Sequence, residues 1–373
     1  MKNRLCVIIS GGGTGGHIFP ALAIGEWITV RWPEVYVHYV GAQGGMEMQK
    51  IPENGFSISG LWVSGFQRGL SWRALKRNLS LPFKIITACW QAFQILRTNS
   101  PKLVIGVGGY ASLPTVFIAQ LLGIPTILAE QNAFPGLANR LLAKRAQAIW
   151  LGNEFATRFF VPQNKAVYYV GNPVRTGMAS ISHEEACASF ALNPEKPTVF
   201  IFGGSLGAGT FNKTLLTQYL ILLNNGIQII WQTGGTNYEA IIKEVTPQKG
   251  LVILPFIKNM AAAYSAATLV VARAGAMTLT ELITLQQPAI LVPSPNVTDN
   301  HQTHNAKSIT EKGAGWLITD SNAPEKLIPT ILKIFTEPEQ ITKAKEQLKL
   351  IKLPDTQQII LKQIEPYLFS KTK

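Results

Sequence analysis

Short apolar runs alternate along the chain with longer stretches in which apolar residues recur every three or four positions. Apolar runs without polar alternation suit strands buried on both faces, as in a parallel sheet. Such runs stand at Leu5–Ile9, Val35–Val40, Lys102–Val107, Thr126–Ala129 and Gln147–Leu151, with shorter ones at Phe56–Ile58 and Tyr168–Val170. The second half repeats the theme at Thr198–Phe202, Ile227–Gln232, Leu251–Phe256, Leu269–Ala272 and Ala289–Val292. Helical spacing fills the intervals, first at Ala21, Leu22, Ile24, Trp27 and Ile28, later over 111–122 and 183–191. Alternating strands and helices predict an α/β fold with doubly wound parallel sheets.

The pattern breaks once. Residues 162–176 combine a polar stretch, a short strand and the turn Gly171-Asn172-Pro173-Val174-Arg175. Beyond it, Thr198–Phe202 runs into Gly203-Gly204-Ser205-Leu206-Gly207-Ala208 and a helix, as Leu5–Ile9 runs into Ser10-Gly11-Gly12-Gly13-Thr14-Gly15-Gly16-His17 and a helix 192 residues earlier. The repeat is one of architecture. It predicts two Rossmann-like domains, 1–165 and 166–345, with parallel sheets facing across a cleft.

Composition narrows the class. The chain has 373 residues, 47% apolar and only 15% charged, enough for two cored domains and unlike a disordered chain. Its three cysteines, Cys6, Cys89 and Cys187, lie far apart, show no metal spacing and suit a reducing compartment. The first apolar run is short and enters a glycine turn, which reads as a strand rather than a signal peptide. No run of about 18 apolar residues is present to span a membrane. The net charge of +13 is uneven: residues 1–165 carry 16 Lys and Arg against 6 Glu and no Asp, a balance of +10, leaving +3 for the rest. That half is expected to face nucleic acid, anionic lipid or a phosphorylated substrate, with solubility alone as the plainer explanation.

Candidate chemistry sits at strand ends. The glycine turn at 11–16 lets backbone approach a ligand, and the helix start behind it presents N–H groups with about half a positive charge, a place for an anion such as phosphate. Gly11, Gly13 and Gly16 satisfy the dinucleotide fingerprint, but the second strand ends in Gly41-Ala42-Gln43 without the acid that would hold a ribose. His17 closes the turn, either as a ligand-facing group or as a helix-entry residue bonded to backbone. Gly108-Gly109-Tyr110 and Glu130-Gln131-Asn132 follow two further strands and are expected to line the same crevice. In the second half, Arg273-Ala274-Gly275-Ala276-Met277 reads as a small-residue turn before a helix beginning near Thr278. Glu281 could there accept both ribose hydroxyls, or act only as a carboxylate favoured by the helix dipole. Asp299-Asn300-His301-Gln302 reads as a loop, and His301 with His304 lacks a nearby acidic or cysteine partner for a metal.

Two stretches look interfacial. Leu61–Leu70 mixes Trp62, Val63, Phe66 and Leu70 with glycine, serine and arginine. Trp72–Arg97 shows helical spacing at Leu75, Leu79, Phe83, Ile86 and Trp90, interleaved with Arg73, Lys76, Arg77 and Lys84, and Pro82 marks a break or kink. This reads either as a membrane-facing helix or as an ordinary one covering the sheet.

Taken in order, the glycine turn through His17, Gly108-Gly109-Tyr110, Glu130-Gln131-Asn132, Gly171–Arg175, Gly203-Gly204-Ser205, Arg273–Glu281 and Asp299–Gln302 resemble the motif series of the lipid II-forming N-acetylglucosaminyltransferases of bacterial peptidoglycan synthesis, in glycosyltransferase family 28. The resemblance implies a glycosyltransferase B fold, with part of the helical tail, about 346–373, packing back on the first domain. It implies inverting transfer of N-acetylglucosamine from its UDP donor to the C4 hydroxyl of the muramoyl sugar of lipid I. The chain has only Asp299, Asp320 and Asp355 and so no Asp-x-Asp metal site, and no essential metal or cofactor is expected. The resemblance places Ser205 at the diphosphate, Ile257 and Arg175 at the uracil, Ala276, Met277, Thr278, Leu279 and Thr280 at phosphates, Glu281 at the ribose and Gln302 at the sugar. Thr14, Gly15, Gly16 and Asn132 would line the donor side from the first domain. Gly108, Gly109, Tyr110, Arg73, Lys76, Leu79 and Phe83 would serve the acceptor and an anionic membrane surface at the cytoplasmic face of the inner membrane, with other cell-wall synthesis proteins as candidate partners and nucleic acid excluded. His17 is the candidate base, and Glu130 its rival or orienting partner. Leu206 departs from the family's usual glutamine, and the loop Ser64–Leu70 differs in length. A UDP-sugar epimerase or another lipid glycosyltransferase of the same fold, and a non-catalytic sugar-nucleotide binder, are the alternative readings.

Overall fold

The computed structural model describes residues 5–64, 81–160, 166–174, 181–204, 207–295 and 300–369. The chain divides into two compact units, one of Met1–Arg175 with Leu353–Lys373, the other of Thr176–Lys352. Each is built on one parallel sheet.

In the first unit the strands are β1 (Cys6–Ser10), β2 (Tyr36–Ala42), β3 (Ser57–Leu61), β4 (Leu103–Gly106), β5 (Thr126–Glu130), β6 (Ala148–Leu151) and β7 (Val167–Tyr169). They lie in the order β3-β2-β1-β4-β5-β6-β7, with every neighbouring pair parallel. β1, β4, β5 and β6 are buried throughout, which is why they read as unbroken apolar runs. Order reverses between β1 and β4, so the turns leaving these two strands lie side by side. The helices are α1 (Gly15–Arg31), α2 (Glu47–Glu53), α3 (Leu81–Asn99), α4 (Ser112–Leu121), α5 (Leu137–Leu142) and α6 (Thr157–Phe160).

The second unit repeats the winding with β8 (Thr198–Phe202), β9 (Gln228–Gln232), β10 (Leu251–Leu254), β11 (Leu269–Ala272), β12 (Ala289–Leu291) and β13 (Trp316–Leu317), in the order β10-β9-β8-β11-β12-β13. Its pairs are again all parallel. Its helices are α7 (His183–Ser189), α8 (Gly209–Asn224), α9 (Gly235–Glu244), α10 (Met260–Ala266), α11 (Ala276–Thr284), α12 (His301–Thr310), α13 (Ala323–Thr336) and α14 (Glu339–Leu350). β8 and β11 have the bounds expected from the sequence, whereas β10 stops at Leu254 because Pro255 has no N–H for the ladder.

Two expectations need correction. His301 and Gln302 do not sit on a loop: they open α12 behind Asn300, whose φ of 54° sets the entry. Only Asn305, Ala306 and Ile309 of that helix are buried, too sparse an apolar stripe to read from sequence. α11 begins at Ala276, two residues before Thr278, because Gly275 takes the extended capping conformation.

The last helix, α15 (Thr356–Phe369), belongs to the first unit. Its buried Ile360, Ile364 and Leu368 share a hydrophobic cluster with Trp27, Ile28 and Trp32. Gln363 Oε1 accepts a 2.6 Å hydrogen bond from Trp150 Nε1 of β6. Ile364→Ala would remove a fully buried branched side chain at no gain in hydrogen bonding. We expect it to cost the first unit about 2–5 kcal/mol, read in urea as an earlier transition of that unit while the second unit's transition stays in place.

Candidate functional site

The turns after β1 and β4 form one cluster. Gly109 has φ of 79°, and a Cβ there would lie 2.3 Å from the carbonyl oxygen of Gly12, so only glycine lets the two backbones meet. Gly108 faces His17, its added Cβ falling 3.2 Å from Nε2, and the ring of Tyr110 lies against Gly13. His17 Nδ1 is buried without a hydrogen-bond partner. Burial lowers its pKa to about 4, against the opposing pull of Glu47, so the imidazole is neutral near pH 7 and can accept a proton. Thr14 and Gly16 are exposed at the head of α1.

The anion expected in this turn is supplied by the chain itself. Glu47, at the start of α2 and 1% exposed, accepts from Gly13 N at 3.0 Å through Oε2 and from Ala42 N at 2.9 Å through Oε1. Sequence reasoning takes Gly41–Glu47 only as a loop opening a helix and gives Glu47 no role, since it meets Gly13 from 34 residues away.

Glu130 ends β5 and is 3% exposed. Oε1 accepts from Asn132 N and Asn132 Nδ2, at 3.0 and 3.2 Å. Oε2 accepts from Gly136 N and Asn139 Nδ2, both at 2.9 Å. Desolvation raises its pKa and these four bonds oppose the rise. A carboxylate has about four acceptor sites, so Glu130 is committed to closing the 130–139 loop. Asn132 is half-buried beside it.

In the second unit the helix start at α11 carries the anion-binding geometry. Leu279 N is already bonded to Gly275 O and Thr280 Oγ1 to Ala276 O, and both side chains are buried. Ala276, Met277 and Thr278 are half-buried and lie ahead of the helical ladder, so their N–H groups lack i−4 partners. Arg273, just before them, is held by Asp320, by the carbonyls of Val292 and Pro293, and over the ring of Phe211. Asn305 Nδ2 donates to Ala274 O and ties α12 to the turn.

Glu281 lies further along α11. Tyr264 donates to its Oε2 at 2.8 Å, and the tyrosine ring is gripped edge-on by Phe200 and Phe202. Burial raises the Glu281 pKa to about 7, and the tyrosine bond opposes this. Gln302 Oε1 accepts from Ser294 N at 2.8 Å. Ile257 is buried, and its N–H donates to Gln232 Oε1 at 2.8 Å, while Gln232 Nε2 donates to Gly204 O. Gln232, Asn305 and Tyr264 were not singled out from sequence, because each acts on a partner distant in the chain.

Arg73, Lys76, Leu79, Arg175 and Ser205 lie outside the described residues, as does Asp299. On α3 the buried face is Ala88, Ala92 and Leu96, whereas Phe83, Ile86 and Trp90 are 71%, 68% and 60% exposed. Ala88, Ala92 and Leu96 cover the sheet, and Phe83, Ile86 and Trp90 do not. Among the described residues no helix is long and apolar enough to cross a membrane, and no group of three His, Cys, Asp or Glu could hold a metal ion.

Two doubly wound units, each with a small-residue turn ahead of a helix at the carboxyl end of a parallel sheet, are the architecture of the glycosyltransferase B fold. Residues 7–151 match the glycosyltransferase family 28 N-terminal domain and residues 198–359 its C-terminal domain. A UDP-N-acetylglucosamine–N-acetylmuramyl-(pentapeptide) pyrophosphoryl-undecaprenol N-acetylglucosamine transferase of Bacteroides fragilis is 42% identical over 97% of this chain and 95% of its own. The chain thus belongs to glycosyltransferase family 28. The crystal structure of Acinetobacter baumannii MurG, 29% identical, superposes with a TM-score of 0.70 over 97% of this chain and 99% of that one. The UDP-GlcNAc 2-epimerase of Neisseria meningitidis bound to UDP-GlcNAc, 14% identical, matches 97% of this chain and all of its own with a TM-score of 0.67, a likeness of fold alone.

The Glu281 carboxyl binds its proton more tightly folded than unfolded, since its pKa rises from 4.5 to about 7. Its contribution to stability is therefore present below pH 4.5 and lost as pH rises through about 7. Glu281→Gln, which cannot ionise, is expected to raise the melting temperature of the second unit above pH 7 and to lose that advantage near pH 4.5. Melting curves across this range test it.

Proposed function

We propose that the protein transfers N-acetylglucosamine from UDP-N-acetylglucosamine to the C4 hydroxyl of the muramoyl sugar of lipid I, with inversion, forming lipid II. The near-full-length likeness to transferases of that name carries this reading. The acceptor oxygen attacks the anomeric carbon, its proton passes to His17, and the bond from that carbon to the UDP oxygen breaks. His17 suits the base because it is neutral and its Nδ1 has no hydrogen-bond partner in the chain. Glu130 braces the neighbouring loop, since its oxygens are already engaged.

On the donor, the N–H groups of Ala276, Met277 and Thr278 meet the charge that grows on the diphosphate. Ser205 is assigned to the same diphosphate. Glu281, its Oε2 steadied by Tyr264, accepts from the ribose hydroxyls. The uracil meets Arg175 and the Ile257 carbonyl, as the Ile257 N–H is already taken. Gln302 offers its Nε2 to the sugar, since its Oε1 is occupied. Thr14, Gly15, Gly16 and Asn132 complete the donor side, and Gly108, Gly109 and Tyr110 the acceptor side. Leaving-group charge is met without a metal.

The protein rests peripherally on the cytoplasmic face of the inner membrane. Phe83, Ile86 and Trp90 on α3, with Phe117 and Leu121 on the adjoining α4, expose apolar side chains on the more basic half of the chain. Such a surface suits anionic lipid carrying a lipid-linked acceptor.

The decisive assay is transfer of labelled N-acetylglucosamine to a lipid I analogue in the presence of EDTA. Transfer by the wild type should persist, and His17→Ala should lose about 10²–10⁴-fold in kcat. Full activity in that variant would remove His17 as the base, and wild-type inactivity would remove the transferase reading. Replacing Phe83, Ile86 and Trp90 together by serine should weaken co-sedimentation with anionic vesicles by at least about tenfold, with UDP affinity unchanged.

A further inference from the structure

The carboxylate that acts on His17 is Glu47, which the proposed mechanism does not use. Glu47 enters a cradle made by glycines: a Cβ on Gly12, Gly41 or Gly45 would fall 2.1, 2.4 or 2.5 Å from its side chain. No larger residue at these positions would admit it. Both of its oxygens accept backbone N–H groups, one from the turn that carries His17 and one from the end of β2. A charge-assisted bond of this kind is about twice as strong as a neutral one. The turn at Gly13, with φ of 88°, is thereby fastened to the neighbouring strand.

We propose that Glu47 is the positioning residue for His17: its buried carboxylate fixes the glycine turn and supplies the negative charge that favours the imidazolium formed when His17 accepts a proton. Tyr110 is the other titratable group on this cluster; burial first, and Glu47 second, push its hydroxyl up, so it stays neutral. Lys50, on the same helix as Glu47, is paired with Glu53. Glu47 alone opposes the desolvation that lowers His17. The assignment rests on the transferase reading for its catalytic meaning, and on the hydrogen bonds for its geometry.

Two measurements test it, and neither needs turnover. The first follows the ¹³Cε1 resonance of His17 with pH, assigned with His17→Gln, in the wild type and in Glu47→Gln. The wild type should titrate at about 4, and the variant lower, because its uncharged side chain keeps the volume and removes the attraction. Where Glu47 is only a structural brace, loosening the turn hydrates His17 and its titration rises toward 6.5; a rise, or no change, overturns the proposal. The second measures amide hydrogen exchange at Gly13 and Ala42 in the wild type, and so survives a variant that fails to fold. Both amides should be protected; exchange at open-loop rates overturns the proposal. Transfer is assayed in parallel: wild-type inactivity with the expected titration would sink the transferase reading and leave the Glu47 geometry standing. With transfer present, Glu47→Gln should lose about tenfold or more in kcat, and it should melt earlier than wild type, because one of the two acceptor oxygens becomes a donor facing a backbone N–H.

Discussion

A carboxylate taken out of water must find its hydrogen bonds within the chain, and the first unit is arranged around two that do so. Glu47 and Glu130 are both nearly inaccessible. Each is met by backbone N–H groups that a turn would otherwise leave unbonded: Gly13 and Ala42 for one, Asn132 and Gly136 for the other. The two glutamates therefore shape the loops at the carboxyl ends of β1 and β5. The arrangement also explains a glycine density that a ligand alone would not require. Gly12, Gly41 and Gly45 make room for a side chain of the protein itself. A dinucleotide phosphate at Gly13 would meet an N–H already engaged and a negative charge already present.

The second unit solves the same problem with neutral groups. Gln232 bridges the turn after β8 to Ile257, and Asn305 bridges α12 to the turn after β11. Arg273 has its charge matched by Asp320, and its Nη1 also donates to the carbonyls of Val292 and Pro293. With these ties made internally, the first N–H groups of α11 lie ahead of its ladder, and its first turn carries no acidic residue. The two glycine-type turns are thus alike in winding and opposite in electrostatics. One contains its own anion, and the other is open to an external one, which matches the proposed division between an acceptor half and a donor half.

Much of this frame was legible in the sequence. Strands buried on both faces leave unbroken apolar runs, so β8 and β11 emerged with their observed bounds. The turns after β1, β4, β5 and β11 were visible because small and polar residues interrupt those runs. What stayed hidden has a common physical cause. Glu47, Gln232, Asn305 and Tyr264 each make a hydrogen bond to a partner 17 to 34 residues away, and such bonds have no period. α12 was hidden for a related reason, as its buried face holds only three residues. The stripe on α3 was legible as a pattern and ambiguous as a surface; the small Ala88 and Ala92, easily overlooked, face the core together with Leu96.

Fold alone leaves the reaction open, since an epimerase at 14% identity shares it. The distinction lies in what a hydroxyl acceptor demands. A base near neutral pH must be uncharged before it acts and must tolerate the charge it gains. Burial of His17 secures the first condition and works against the second, because the desolvation that empties the imidazole of its proton also penalises the imidazolium. A fixed negative charge that does not itself bond the ring eases the second condition without pre-loading the proton. Glu47 meets that description, being anchored by backbone donors and electrostatically coupled to His17. Glu130 does not: the charge that acts on His17 is that of Glu47, and Glu130 spends its acceptor positions closing its own loop. The two glutamates look interchangeable as acidic residues near a histidine; their hydrogen bonds separate a brace for a loop from a charge held ready for proton transfer.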